Sequence, residues 1–454
     1  MKVSQYTRYT KYGDDVIVYN TYNGALGSLN KNTATDEYNS VISAIDKKAE
    51  CRALETKKFS QEFLSNFCVE DDVDEINVLA ADYLARCWNP QNLYFICVVN
   101  NFCNFKCAYC YETHDKQQFD ASSLDNLYQA IVDYHSKVNL KKIGIEWYGG
   151  EPLLSKDLIL SFTKKLNSFC KMNDIETIYA ITTNGYELTP EVATEFVELG
   201  ITSFQITIDG AEYLHNKLRP LKNGSGTWSK IIENLEHMKT LDKLFHVIIR
   251  VNYTYETLEC FDEFLDYFES HFDSTRFSLF FHGISDWGGN SSDSEMIVDE
   301  SVKTYIACEL IERTIKRGIN VTRFNTAYSR YGRVCYASIP NHFVVSSDEK
   351  LRKCTFDMPE YDAFNCVGDI SDGILNIDGF KVANFAAPKF YNQKCLQCDI
   401  LPICMNMSCP KMNLHREDRE CSMDKRLVDK VYEAKYRLAQ DGNLSLTTLT
   451  GILY

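Results

Sequence analysis

Between residues 93 and 281, short apolar runs alternate with longer stretches whose apolar residues recur every three or four positions. The runs Leu93–Val99, Ile143–Trp147, Thr177–Thr182, Ser203–Ile208, His246–Asn252 and Arg276–Phe281 have the length and composition of buried strands. The stretches between them, about 121–138, 155–171, 190–199, 227–241 and 256–271, read as amphipathic helices. Six such repeats predict an α/β fold, a parallel sheet curled into a partial, TIM-like (β/α)6 barrel. In barrels of this kind the chemistry sits at the C-terminal ends of the strands.

The flanks follow other patterns. Asp15–Asn20 and Ala25–Leu29 are β-prone and bracket Asn23-Gly24, which predicts a hairpin closed by a type I′ turn. Asp36–Lys48 is helical, with Thr33 or Thr35 as N-cap. In Asp74–Trp88, residues Ile76, Leu79, Ala80, Tyr83, Leu84 and Cys87 form one apolar stripe. Ser285–Asp299 is a polar loop, Ser301–Lys316 a helix and Asp424–Ala439 another, before an uncharged Leu/Thr-rich tail.

A chain of 454 residues predicts two or three domains. A net charge of −15 argues against nucleic acid as a partner. Neither a signal-length apolar start nor a membrane-length apolar run is present, so the protein reads as cytoplasmic. Eighteen cysteines in a reducing compartment point to metal rather than disulfides. Cys51, Cys68, Cys87, Cys97, Cys170, Cys260, Cys308 and Cys366 are scattered, and small buried apolar roles are expected for most of them.

The other ten are patterned. Cys103, Cys107 and Cys110 fall in a C-x3-C-x2-C loop just beyond the first strand. Three thiolates so close can hold three irons of a [4Fe–4S] cluster and leave the fourth open. A zinc knuckle would want a fourth local ligand, and His114 has an untypical spacing for one. Other chemistry-bearing residues also fall after strands: Gly149-Gly150-Glu151-Pro152 after the second, Thr183-Asn184-Gly185 after the third, and Asp209-Gly210 after the fourth. Asn252 closes the fifth strand and His282, expected to be structural, follows the sixth.

The cysteine loop, ending in Cys110-Tyr111-Glu112 and paired with Gly149–Pro152, resembles the radical S-adenosylmethionine (SAM) superfamily. The resemblance implies that Cys103, Cys107 and Cys110 hold the cluster whose open iron binds the amino and carboxylate groups of SAM. It implies reductive cleavage of SAM to a 5′-deoxyadenosyl radical that takes a hydrogen atom from substrate. It also places SAM contacts at Gly149, Gly150, Glu151, Asn184, Thr207, Asp209 and Arg219. Glu151 is expected to face the ammonium, the two glycines to admit backbone close to the ligand, and Arg219 to pair with the carboxylate. Asn184, Thr207 and Asp209 are expected at the ribose.

Cys335, Cys354, Cys395, Cys398, Cys404, Cys409 and Cys421 form a second pattern, with Val367-Gly368-Asp369-Ile370 and Cys409-Pro410-Lys411. It resembles the SPASM extension of radical SAM enzymes. The resemblance implies a proximal auxiliary cluster on Cys335, Cys354 and Cys409 and a distal one on Cys395, Cys398, Cys404 and Cys421. That makes three [4Fe–4S] clusters in all. The proximal set lacks a fourth cysteine: either Cys366 supplies it or one iron stays open. Two departures stand out: Glu349 occupies a turn position where Gly is usual, and four residues rather than three separate Cys404 from Cys409. A zinc ribbon competes poorly, because seven cysteines do not divide into four-ligand sites.

The whole layout resembles radical SAM/SPASM maturases of ribosomally made peptides. It implies a winged-helix-like leader-recognition domain over 1–90, a radical SAM barrel over 91–285 and a bridging region over 286–334. A SPASM domain over 335–425 and a C-terminal helix and tail over 426–454 complete it. The recognition domain is expected to take an extended leader as an added strand on its hairpin edge. The expected activity is thioether crosslinking of a Cys sulfur to a carbon of another residue. A precursor peptide with a leader and a reductant such as flavodoxin or ferredoxin are the expected partners. Sulfatase-maturing enzymes and carbon–carbon crosslinking maturases are the alternatives, and a non-catalytic metal-stabilised scaffold is a remote one. Against the sulfatase reading, Thr355 follows Cys354 where those enzymes carry an Asp base, and Asp357 comes two residues later.

Overall fold

The computed structural model describes residues 1–32, 34–48, 54, 56–112, 114–285, 296–322, 334–356, 362–386, 392–407, 409–410 and 425–442. These fall into two compact units. One draws on Met1–Trp88, Arg323–Ile339 and Asn384–Gly451, the other on Asn89–Thr322 and Pro340–Ala383. Residues 335–425, expected as one domain, are thus divided between them. None of the described helices is long and apolar enough to cross a membrane.

The first unit begins with β1 (Lys2–Val3), followed by β2 (Thr7–Tyr12), β3 (Asp15–Asn20) and β4 (Leu26–Asn30). The expected β3–β4 hairpin forms, but β2 pairs along the other side of β3, so the order is β2-β3-β4. The edges therefore belong to β2 and β4, and β3 is fully laddered, with Val16 opposite both Lys11 and Leu29. The turn also differs from type I′. Gly24 has φ of 77° but Asn23 is not left-handed. The Asn20 side chain accepts from the N–H groups of Tyr22 and Asn23, which fixes a wider loop.

The helix Thr35–Asp46 and the short helix Gln61–Phe67 bury Val41, Ile45, Phe63 and Phe67 in one cluster with Val16 and Val18. β5 (Cys68–Val69) pairs with β1, and the helix Glu75–Cys87 follows, capped by Asp74. The helix Lys425–Gln440 covers the three-stranded sheet. Tyr432 stacks on Tyr19 with ring centroids 3.9 Å apart, and Arg8 bridges Asp399 and Asp429 at 2.7 and 2.9 Å.

The second unit is built on one ten-stranded sheet. β6 (Asn92–Asn100), β7 (Lys142–Gly149), β8 (Glu176–Thr183), β9 (Ile201–Thr207), β10 (His246–Tyr253) and β11 (Phe277–Gly283) run parallel in sequence order. The helices Ala121–Val138, Lys156–Met172, Pro190–Glu198, Trp228–Met238 and Tyr255–His271 connect them, as the periodicity predicts. A short helix, Glu212–Leu218, adds a turn that the pattern does not announce.

Beyond β6 the sheet continues through β12 (His342–Ser346), β13 (Lys350–Arg352), β14 (Cys366–Asp369) and β15 (Asn376–Ile377). β12 is parallel to β6 and the rest form an antiparallel meander. Glu349, at the turn position where glycine is usual, does adopt φ of 61°. Its side chain accepts from Asn126 at 2.9 Å, which offsets part of a left-handed cost of about 1–2 kcal/mol.

Candidate active site

The cysteine loop leaves β6 and is tied at both ends. Lys106 and Ala108 donate backbone N–H groups to the carbonyls of Pro220 and Leu218, each at 2.9 Å. On the other side, Gly150 N–H bonds the Asn100 carbonyl at 3.0 Å and Glu151 N–H that of Phe102 at 2.9 Å. This contact explains the glycine pair. A Cβ on Gly149 would lie 2.3 Å from the Asn100 oxygen, and one on Gly150 would lie 2.5 Å from that of Phe102. Gly149 also holds φ of 149°. The glycines admit the cysteine-loop backbone, rather than serving only a ligand's approach as expected.

Cys103, Cys107 and Cys110 line a cleft of about 970 Å³ including its open mouth. Gly149, Gly150, Asn184, Thr207 and Arg219 line it too. Glu151 and Asp209 do not line it; both are fully buried. The Glu151 carboxylate accepts from Thr183 Oγ1 at 2.6 Å, Asn184 N–H at 2.7 Å and Leu153 N–H at 2.9 Å. It is committed to shaping the wall, and burial pushes its pKa up to about 7. Asn184 is held too: its amide donates to Asn104 Oδ1 at 2.8 Å.

Asp209 accepts from Asn252 N–H at 2.8 Å and from the Tyr109 hydroxyl. That hydroxyl also receives Asn252 Nδ2 at 2.9 Å and Arg219 Nη1 at 2.6 Å. Arg219 lies 4.0 Å from Asp209 and is 7% exposed, and its Nε has no hydrogen-bond partner. His215 sets this corner. Its Nδ1 accepts from Asp209 N–H, its Nε2 meets Thr227 Oγ1 at 3.0 Å, and Thr227 caps the Arg219 carbonyl. Burial and then the Arg219 charge hold His215 neutral.

Three residues of this constellation escaped the sequence reading. Tyr109 sits inside the cysteine motif, where an aromatic between two ligands was the available signal. Arg250 interrupts the apolar run Val247-Ile248-Ile249, and that break in alternation was legible. Glu112, bonded by Tyr148 Oη at 3.0 Å and pushed up to about 7 by burial, gave no signal of its own.

Burial raises the three thiols above their ordinary range, to about 11 or 12, while the Arg219 charge pulls each the other way. Ligation to an iron would deprotonate them outright. Among the described residues no three side chains converge closely enough to share a single metal ion. A four-iron cluster does not ask for that, since its thiolates bind different irons. Three soft thiolates and an orphaned buried guanidinium nitrogen fit a cluster and an anionic ligand beside it.

Residues 97–268 match the family model of the radical SAM superfamily. That segment is similar to a radical SAM domain. Over 156 residues it is 27% identical to a radical SAM cyclopropyl synthase of Paramaledivibacter caminithermalis, covering 31% of this chain and 32% of that protein. Over 159 residues it is 27% identical to a cysteine-type anaerobic sulfatase-maturating enzyme of Clostridium novyi, covering 33% and 41%. The matches to the first of these curated relatives span a third to a half of their length. The solved structure of native anSMEcpe with bound AdoMet and Cp18Cys peptide shares the fold, with a TM-score of 0.61 at 18% identity. It covers 78% of this chain and 99% of that one.

The second cysteine pattern is placed as follows. Cys395 and Cys398 flank the end of the helix Gln393–Leu396, and Cys404 lies in the helix Leu401–Met407. With Cys335 and Cys409 they belong to the first unit. Cys354 and Cys366 belong to the second; Cys366 opens β14 and its thiol meets the Gly368 carbonyl at 3.7 Å. Cys421, like Cys51, lies outside the described residues. Cys68, Cys87, Cys97, Cys170, Cys260 and Cys308 are buried.

Proposed function

We propose that this chain is a radical SAM maturase that modifies a ribosomally made peptide, forming a thioether from a Cys sulfur to a carbon of another residue. The observation that carries the radical SAM part is the meeting of Cys103, Cys107 and Cys110 with the orphaned Arg219 Nε on one cleft. When bound there, a [4Fe–4S] cluster with SAM supplies a hydrogen-abstracting 5′-deoxyadenosyl radical. The chain's own part is to hold it: three thiolates for the cluster, Arg219 for the methionine carboxylate, Thr207 and Asn184 along the adenosyl group. Tyr109, Asp209 and His215 fix Arg219 in place.

A peptide substrate is supported by the sulfatase-maturating relative and by the peptide named with the solved structure. The thioether product rests on the layout of an N-terminal sheet unit, a radical core and a second cysteine set. In this reading Cys335, Cys354 and Cys409 hold a proximal cluster and Cys395, Cys398, Cys404 and Cys421 a distal one. The three-stranded sheet takes the leader on a β2 or β4 edge, and a flavodoxin or ferredoxin supplies electrons. Sulfatase maturation fits the comparisons equally well; Thr355 after Cys354 is the feature that favours the peptide crosslink.

Anaerobic reconstitution tests the reading. About twelve irons per chain and reductive release of 5′-deoxyadenosine are expected. The Cys103→Ala, Cys107→Ala, Cys110→Ala triple variant should lose about four irons and all SAM cleavage. Residual 5′-deoxyadenosine above background in that variant would sink the assignment. Tandem mass spectrometry of a co-expressed peptide decides between crosslink and formylglycine.

A further inference from the structure

The cleft holds a second cation. Arg250, in β10, lines it beside His282 and Ser285. Its Nε donates to Asn252 Oδ1 at 2.8 Å. Among the described residues that is the side chain's one hydrogen bond, and no carboxylate lies within ion-pair distance of it. The nearby acids are spent on other donors: Glu112 on Tyr148, Asp209 on Asn252 N–H and Tyr109, and Glu146 on Thr182. Lys303 adds positive charge close by, donating to Ser285 Oγ at 2.5 Å. Among the described residues, then, a guanidinium lines the cleft with no carboxylate paired to it. A partly buried charge without a partner costs free energy, and a planar fork of N–H donors matches a carboxylate in two parallel bonds.

We propose that Arg250 is a specificity residue that holds a carboxylate of the substrate, the side chain of an aspartate or glutamate in the peptide. The inference rests on the peptide-maturase reading above. SAM carries a carboxylate of its own, and the two cations divide the work by position. The segment Leu218–Lys222, which carries Arg219, is pinned by backbone bonds to the cysteine loop, where a group bound to cluster iron must lie. Arg250 has no bond to that loop and stands on a barrel strand with His282 on its neighbour β11. Burial, then the charges of Arg250 and Lys303, depress the His282 pKa to about 3, so the imidazole stays neutral and adds no charge to the cleft.

The test uses the full chain with clusters reconstituted and SAM bound. Two probes are titrated by saturation-transfer NMR: N-acetyl-glutamate N-methylamide and its isosteric glutamine counterpart. The wild type is expected to bind the acid about tenfold more tightly than the amide. Arg250→Gln should abolish that preference, and Arg250→Lys should retain part of it, because charge remains but the fork is lost. Equal binding of both probes by the wild type overturns the proposal, and this arm does not depend on any variant folding. So does a preference that survives Arg250→Gln. If the acid probe instead competes with SAM, Arg250 serves the SAM carboxylate and the proposal also falls. Failure of SAM itself to bind would overturn the wider reading, which equilibrium dialysis of SAM reports separately.

Discussion

Arg219 donates to the Tyr109 hydroxyl at 2.6 Å, so a side chain inside the cysteine motif holds a cation 110 residues away in sequence. The same hydroxyl donates to Asp209 and receives Asn252, so four residues from four segments share one oxygen. The cysteine loop and the Arg219 guanidinium are thereby set as one body.

Tyr109→Phe removes that oxygen and leaves buried partners unpaired. A loss of about 1–3 kcal/mol in stability is expected, with SAM binding weakened about tenfold as Arg219 loosens. Iron content should hold. Thermal unfolding, equilibrium dialysis and iron analysis together check this; unchanged SAM affinity would mean that Arg219 does not position SAM.

Gly150→Ala places a methyl group against the Phe102 and Asn101 carbonyls, at 2.5 and 2.7 Å. Neither is a flexible side-chain end, so the cysteine loop itself must shift, at about 1–3 kcal/mol. Loss of about four irons from the reconstituted chain is expected, with the other irons retained. Full iron content in the variant would show that the loop tolerates the displacement.

The pKa of His282 is depressed to about 3 from an ordinary 6.5. Between those values the unfolded chain binds a proton that the folded chain refuses, so folding stability is present above pH 6.5 and falls as the pH drops. The expected loss is roughly 2 kcal/mol from pH 7 to pH 5. His282→Gln should flatten that slope in urea titrations of the metal-free chain. An identical pH slope in wild type and variant would exclude His282 as its source.

Residues 1–90 expressed alone should not fold cooperatively, because the helix Lys425–Gln440 covers their sheet. Tyr432→Ala in the full chain removes the ring stacked on Tyr19 and should destabilise this unit by about 3–5 kcal/mol. Circular dichroism of the fragment, with and without a 425–440 peptide, gives the readout. A cooperative transition in the fragment alone would show that the sheet needs no cover.

A proline at Val16 or Val18 is expected to unfold the sheet rather than block a leader, since β3 is paired on both sides. Edge tests belong on β2 and β4, where proline can remove an outward N–H without breaking the ladder. Leader binding unaffected by prolines at both edges would rule out strand addition.

The alternation of strand and helix from 92 to 283 was legible because it depends on local periodicity and burial. The helix Ala121–Val138 falls where the pattern places it, and the chemistry falls at strand ends. The Cys103–Cys110 spacing was legible for the same reason: eight contiguous residues carry it. What the sequence could not decide is where a side chain at a strand end points. Glu151 and Asp209 both follow strands, yet donors 32 to 100 residues away turn them into the wall while Arg219 and Arg250 line the cleft. The cover of the N-terminal sheet by Lys425–Gln440 and the extension of the parallel sheet by β12 were likewise hidden. Each joins segments hundreds of residues apart, and an amphipathic face records that it needs a partner but not which one. Local chain chemistry thus determined the elements and the cluster loop; only tertiary packing decided which charged groups were consumed by the scaffold and which were left to a ligand.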